Sequence, residues 1–323
     1  MIINSVSGPI CTEQLGITLM HEHIVCYSHS MYAAFGEKWF AKEKLIEIAA
    51  AQLRMARQKY HIDTIVDGTP VNLGRNIRLL SEVARKSGVN IIASSGMYYT
   101  EEPFLTGKSP ELLAEFFVDE CANGIEGTNI LPGILKCATD WPGITPINKM
   151  LLETMAIVQH ETGLPLFAHS FPKMRVGLEQ LNLFEKNNVD ISRVIIGHSG
   201  DSFDIVYLEE LLKRGCYIGM DRFRHSMGEE NISCRMDTIC ILAEHGWMDK
   251  MFLSHDYTSY IDFRNNRWED TAKSDYLNLE SDFTYIHREI IPELKKRGFR
   301  EQDIDKLMID NPRHFFEGKA GTM

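Results

Sequence analysis

Short runs of consecutive apolar residues alternate along this chain with longer segments in which apolar residues recur every three or four positions. A short continuous run suits a strand buried on both faces, and the longer spacing suits a helix with one buried stripe. The first run covers about 17–25, where Ile17, Leu19, Met20, Ile24 and Val25 are interrupted by two histidines, His21 and His23. A polar and aromatic stretch, 27–40, reads as a loop, after which Leu45, Ile48, Ala49, Leu53 and Ala56 recur at helical spacing within 42–59. The same alternation then repeats. Apolar runs at 63–67, 89–94, 133–138, 164–168, 194–197, 216–221 and 251–254 read as strands, and 77–87, 110–122, 146–162, 176–186, 203–214 and 236–245 as the helices between them. Gly88 and Gly163 sit just past two of these helices, where a residue without Cβ takes the left-handed turn that ends a helix. Two more helices, 283–297 and 301–311, close the chain.

Strands and helices in strict alternation predict an α/β fold with a parallel sheet covered by helices. Eight repeats in a chain of 323 residues favour one domain, 1–323, closed into a (β/α)₈ TIM barrel. An open doubly wound sheet would carry a glycine-rich phosphate turn after a strand, and the chain has neither G-x-G-x-x-G nor a Walker sequence.

Active sites of such barrels lie at the C-terminal ends of the strands. Six candidate groups fall there: His21, His23, Lys136, His169, His198 and Asp256. Side chains alternate along a strand, so His21 and His23 share one face while Glu22 points to the other. A lone histidine at one strand end is more often a hydrogen-bonded structural residue, but histidines and a carboxylate at several ends together suit a site for two divalent metals. Lys136 is costly to bury as an unpaired ammonium. Its structural alternative is an ion pair with Asp256; its chemical one is a neutral amine that adds carbon dioxide, giving a carbamate whose two oxygens bridge two metals.

Charge and cysteine usage narrow the remaining classes. The net charge of -11 argues against nucleic acid and anionic membranes as partners. No apolar run is long enough to span a bilayer, and the N-terminus has no basic segment followed by an apolar stretch, which leads us to expect a cytoplasmic protein. The 7 cysteines are odd in number and include no Cys-x-x-Cys pair, so they read as reduced thiols rather than a disulfide framework or a thiolate zinc site. A homodimer is compatible with this sequence.

The stretches Gly16-Ile17-Thr18-Leu19-Met20-His21-Glu22-His23, Gly133-Ile134-Leu135-Lys136, Ala168-His169-Ser170, Ile196-Gly197-His198-Ser199 and Ser254-His255-Asp256 closely resemble the phosphotriesterase family of the amidohydrolase superfamily. The resemblance runs in order from about Val6 to the end of the chain. It implies that His21, His23 and Asp256 hold a first metal and His169 and His198 a second, bridged by the Lys136 carbamate and a hydroxide. Imidazole and carboxylate suit Zn²⁺ first, with Mn²⁺ or Co²⁺ also compatible. Asp256 would take the hydroxide's proton.

That family divides chiefly into lactonases and organophosphate triesterases. Arg222, after the aspartate of Gly219-Met220-Asp221, and Tyr98, in Gly96-Met97-Tyr98-Tyr99, resemble positions of the lactonase branch, although Tyr99 competes for the second role. Ion pairing with a neighbour such as Asp221 and core packing are the structural alternatives for these two. A small-molecule lactone is thus the expected substrate, including an anionic or phosphorylated sugar lactone or an acyl-homoserine lactone. An organophosphate triester or carboxylic ester is the alternative, and an amide the second. The stretch 257–281 reads as a long loop covering the substrate, with Arg264 and Arg267 as candidate contacts for an anionic group; Arg224 joins them from the preceding loop. A serine nucleophile is disfavoured, because Gly197-His198-Ser199-Gly200 lacks the G-x-S-x-G spacing.

Overall fold

Each apolar run becomes a strand and each periodic segment a helix. The computed structural model describes residues 1–223, 229–262 and 282–318. It opens with an antiparallel hairpin, β1 (Ile2–Ser5) and β2 (Gly8–Cys11), which the sequence reading did not assign. The barrel strands follow: β3 (Ile17–Cys26), β4 (Ile62–Asp67), β5 (Asn90–Gly96), β6 (Ile134–Ala138), β7 (Leu166–His169), β8 (Val194–Gly197), β9 (Tyr217–Met220), β10 (Met251–Leu253) and β11 (Thr258–Ile261). Between them run α1 (His29–Phe35), α2 (Lys42–Tyr60), α3 (Ile77–Ser87), α4 (Pro110–Asn123), α5 (Pro146–Thr162), α6 (Val176–Lys186), α7 (Ile205–Lys213) and α8 (Glu229–Glu244).

The strands form one parallel sheet in the order β10-β9-β8-β7-β6-β5-β4-β3-β11. Its two edges belong to one pass of the chain. β10 pairs with β9, and β11, only residues 254–257 later, pairs with β3; between them the Asp256 N–H donates to the His21 carbonyl at 3.0 Å. The sheet therefore curls round as an eight-pass (β/α)₈ barrel.

Alternation sorts the apolar residues into two cores. Met20, Val66, Ile92, Ile134, Phe167, Ile195, Tyr217 and Phe252, one from each pass, fill the barrel interior with Phe315 and Phe316. Their neighbours, among them Leu19, Ile65, Ile91, Leu135, Ile196, Ile218 and Leu253, face the helices. β3 breaks strict alternation: Leu19 pairs with Ile65 but Glu22 with Asp67, so β3 carries one extra residue. That bulge lets the consecutive residues Met20 and His21 both reach the interior, the re-aiming of a side chain that bulges supply next to active sites.

Several elements differ from their expected form. The stretch 27–40 contains α1, capped by the Ser28 side chain, which accepts from the Met31 N–H. β11 occupies the start of the expected long loop. The closing helices are broken by π-helical turns at Ile286–Ile290 and Lys306–Asp310, giving the short helices α9 (Ile291–Lys296), α10 (Glu301–Asp305) and α11 (Asn311–Glu317). Each π turn ends just before a proline pair, Ile291-Pro292 and Asn311-Pro312. The proline ring collides with the carbonyl four residues back in a regular helix, and a widened turn makes room for it. Among the described residues no helix is long and apolar enough to cross a membrane.

Candidate metal centre

His21 and His23 both reach the cavity at the C-terminal end of the barrel, and Asp256 meets them from the pass that closes it. His23 Nε2 lies 3.2 Å and His21 Nε2 3.6 Å from Asp256 Oδ1. The outer nitrogen of each ring is already engaged: His21 Nδ1 is 2.9 Å from Asp221 Oδ2 and His23 Nδ1 is 2.8 Å from Thr69 Oγ1. With the ring proton placed on Nδ1, the Nε2 lone pairs converge with a carboxylate oxygen, a geometry suited to a cation.

A second pair faces this group. His169 Nδ1 and His198 Nε2 lie 2.9 Å apart, while their outer nitrogens are taken by carboxylates, His169 Nε2 by Asp140 Oδ2 at 3.0 Å and His198 Nδ1 by Asp221 Oδ1 at 2.9 Å. Asp221 thus receives one histidine from each half of the site. His198, directly after β8, lies in the left-handed region at φ 58°, as do Arg222, φ 67°, and Asp256, φ 51°, a few residues past β9 and β10. Non-glycine residues avoid that region, so three such residues in one site mark a backbone held by its surroundings.

Lys136 stands in this cluster, buried, with Nζ 3.0 Å from His21 Nε2 and 4.0 Å above the Phe167 ring. Gly68 makes space for it: a Cβ there would fall 2.9 Å from His21 Cδ2 and 3.3 Å from Lys136 Nζ. Burial pushes the Lys136 ammonium down to about 8, although Asp256 and Asp221 oppose the fall. Burial, with the Lys136 charge second, brings His21 to about 3; burial and His198 bring His169 to about 3; burial and Arg222 bring His198 to about 4. These rings are neutral at physiological pH, the form that ligates metals. Burial alone would raise Asp256 and Asp221, but His21 and His23 outweigh it at Asp256, and His198 and His21 at Asp221, holding both carboxyls well below the usual range.

The four imidazoles, the Asp256 carboxylate and a lysine close to the neutral amine form a donor set that fits two divalent cations of the borderline kind. All six sequence candidates are brought together. Arg222 is an ion-paired residue, but its partners are not Asp221: Nε lies 3.1 Å from Asp256 Oδ2 and Nη1 2.6 Å from Asp201 Oδ2. Arg235, itself buried, holds Asp201 from the other side and donates to the Asp221 carbonyl. Tyr98 lines the cavity of about 220 Å³ above Lys136 and His169, beside Leu73, Cys26 and Ile261. Its ring stands edge-on to His169 at 5.4 Å, with Tyr99 packed behind it at 4.5 Å. Arg224, Arg264 and Arg267 lie outside the described residues.

Sequence reading missed Thr69, Asp140, Asp201 and the double role of Asp221. Asp221 and Asp140 do fall just past strand ends, the same signal that found His169 and Asp256. Thr69 has no such signal, since nothing in a threonine two residues past a strand announces a histidine partner 46 positions away.

The profile of the Phosphotriesterase family matches residues 1–316. A phosphotriesterase homology protein of Mycobacterium tuberculosis is 38% identical over 333 residues, covering 99% of this chain and 98% of that protein. An aryldialkylphosphatase of Saccharolobus solfataricus is 32% identical over 313 residues, covering 94% of this chain and 96% of that protein. Among solved structures, the phosphotriesterase from Mycobacterium tuberculosis superposes with a TM-score of 0.90 at 36% identity, with 100% of both chains covered.

Proposed function

Since the chain belongs to the phosphotriesterase family, we propose that it is a binuclear metal-dependent hydrolase acting on ester bonds, and that its substrate is a lactone. His21, His23 and Asp256 would hold one cation, His169 and His198 the other, and Lys136, as its carbamate, both. Zn²⁺ is the first choice and Mn²⁺ or Co²⁺ the alternatives. Such a pair supplies a water acidified to near-neutral pH and a Lewis acid for the attacked oxygen.

The residues of the chain divide the remaining work. Asp256 turns Oδ1 towards the histidines and Oδ2 towards Arg222, so one carboxylate has an oxygen for ligation and another for proton transfer. Arg222 pairs with Asp256 Oδ2 and would present N–H donors beside the attacked carbonyl, where negative charge develops. Tyr98 is raised well above the usual phenol value by burial, so it stays protonated and can donate to the leaving ring oxygen.

The observation that carries the lactone reading is the Asp256–Arg222–Asp201 pairing. It holds the guanidinium in the cavity wall and offsets its charge with two carboxylates, which favours a neutral ester over an anionic head group at that point, and Tyr98 in the same wall offers the phenol donor that a lactone's ring oxygen takes up on leaving. A phosphotriester is the second reading, favoured by the 32% identity to a protein named aryldialkylphosphatase; a carboxylic ester and an amide stand behind it. Initial rates on neutral and phosphorylated lactones and a phosphotriester, with enzyme reconstituted with Zn²⁺, Mn²⁺ or Co²⁺ and bicarbonate, test the proposal. A lactone kcat/KM at least about tenfold above that of the phosphotriester, a gap of 1.4 kcal/mol, is expected; the reverse order overturns it. Replacing Arg264 and Arg267 by methionine raises KM for an anionic lactone alone if those arginines read the substrate.

A further inference from the structure

The mechanism makes no use of the outer face of β3, where Glu22 is buried between the two histidine ligands in sequence. Its Oε1 accepts from the His255 backbone N–H at 2.9 Å and lies 2.8 Å from His255 Nδ1, while Oε2 accepts from the Tyr257 N–H at 2.9 Å. The far ring nitrogen, His255 Nε2, accepts from the Ile286 N–H at 3.1 Å, so the ring proton resides on Nδ1 and is donated to Glu22. Glu22 therefore binds the backbone on either side of Asp256. The remaining bonds close the turn: Asp256 N–H donates to the His21 carbonyl at 3.0 Å, and His23 N–H to the Tyr257 carbonyl at 2.8 Å.

This is the stretch between the end of β10 and the start of β11, where pairing passes from β9 to β3, and Asp256 sits there at φ 51°. The Glu22 carboxylate adds three bonds to these two backbone bonds and anchors the turn to the same strand that carries His21 and His23. The sequence shows the logic once the fold is known: His-Glu-His and Ser-His-Asp lie on neighbouring passes, with Glu22 and His255 outside and His21, His23 and Asp256 inside. We propose that Glu22 and His255 are positioning residues that hold Asp256 in its left-handed turn, aimed at His21 and His23. The inference rests on the metal-hydrolase reading of the site.

Two histidine variants separate positioning from mere burial. His255→Asn places an amide nitrogen where Nδ1 was and keeps the donor to Glu22, whereas His255→Gln reaches only the Nε2 position and keeps the acceptor for Ile286. These two proteins, Glu22→Gln and the wild type are loaded with Co²⁺ and bicarbonate. Bound metal, stepwise Kd by calorimetry, and kcat and KM on the best lactone are then measured. Glu22→Gln and His255→Gln are expected to lose about 10- to 100-fold in affinity at one metal position and in kcat, as removal of a ligand-orienting partner does, with little change in KM. His255→Asn should recover at least tenfold over His255→Gln in both. Wild-type affinity and kcat in His255→Gln, or equal losses in the two histidine variants, overturn the proposal, and this comparison decides even if Glu22→Gln fails to fold. A wild type that takes up no metal overturns the hydrolase reading and this inference with it.

Discussion

At the scale of single residues, Lys136 and Asp221 carry the most consequence. A lysine in the middle of an apolar strand is an anomaly that the sequence announces, and burial lowers it to about 8, where neutral amine becomes available to carbon dioxide. Lys136→Ala is expected to lose metal and turnover together, and a short carboxylic acid added in solution to restore part of both. Full metal content in that variant, measured by elemental analysis, would remove the bridging role. Asp221 is different, because its importance lies in two bonds of 2.9 Å to histidines of different strands. Asp221→Asn keeps the shape but leaves one oxygen acceptor for three N–H donors, the two rings and the His198 backbone. Metal affinity should fall about 10- to 100-fold, and at both positions rather than one; calorimetric titration showing a loss confined to one position would contradict the shared role.

At the scale of elements, long periodic segments were readable to the residue: α3, α5 and α6 have the expected limits. Their stripes of buried residues repeat often enough to define a period, and glycine at φ 76° and 67° ends the first two. Short elements are decided otherwise. β1 and β2 have only 4 residues each and depend on each other, α1 depends on a cap, and β11 on the free edge of β3. None has a period to read. The close contact of β5 and β6 is equally invisible in sequence: Gly96 stands at φ 142°, and a Cβ there would lie 1.9 Å from the Lys136 carbonyl oxygen. Gly96→Ala is expected to destabilise the protein by about 1–3 kcal/mol and to weaken metal binding by moving Lys136. Denaturant unfolding with a wild-type midpoint would show that the strands separate at no cost.

At the scale of the whole molecule, eight passes turn residues far apart in sequence into one site, and the site in turn bears on the stability of the barrel. His21, His169 and His198 have values of about 3, 3 and 4 when folded against 6.5 when free. Below pH 6.5 the unfolded chain therefore binds more protons than the folded one, and the stability of the metal-free protein should fall as pH drops towards 4. Divalent metal, which binds the folded chain, should raise the midpoint near neutral pH by about 2.7 kcal/mol of stability per position at 100 times Kd. Scanning calorimetry with and without Zn²⁺ checks both; a midpoint independent of acid and metal would dissociate these histidines from any metal site. The sequence by itself determined the barrel and the six groups at its mouth, because strand alternation and strand ends are local properties of the chain. Only the tertiary structure decided that β3 bulges to aim His21 inward, that Arg222 is held between Asp256 and Asp201, that Asp221 joins His21 to His198, and that Glu22 binds the turn around Asp256. Those partnerships are made across the barrel, by which side chains meet when the sheet closes, and no spacing along the chain encodes a meeting of that kind.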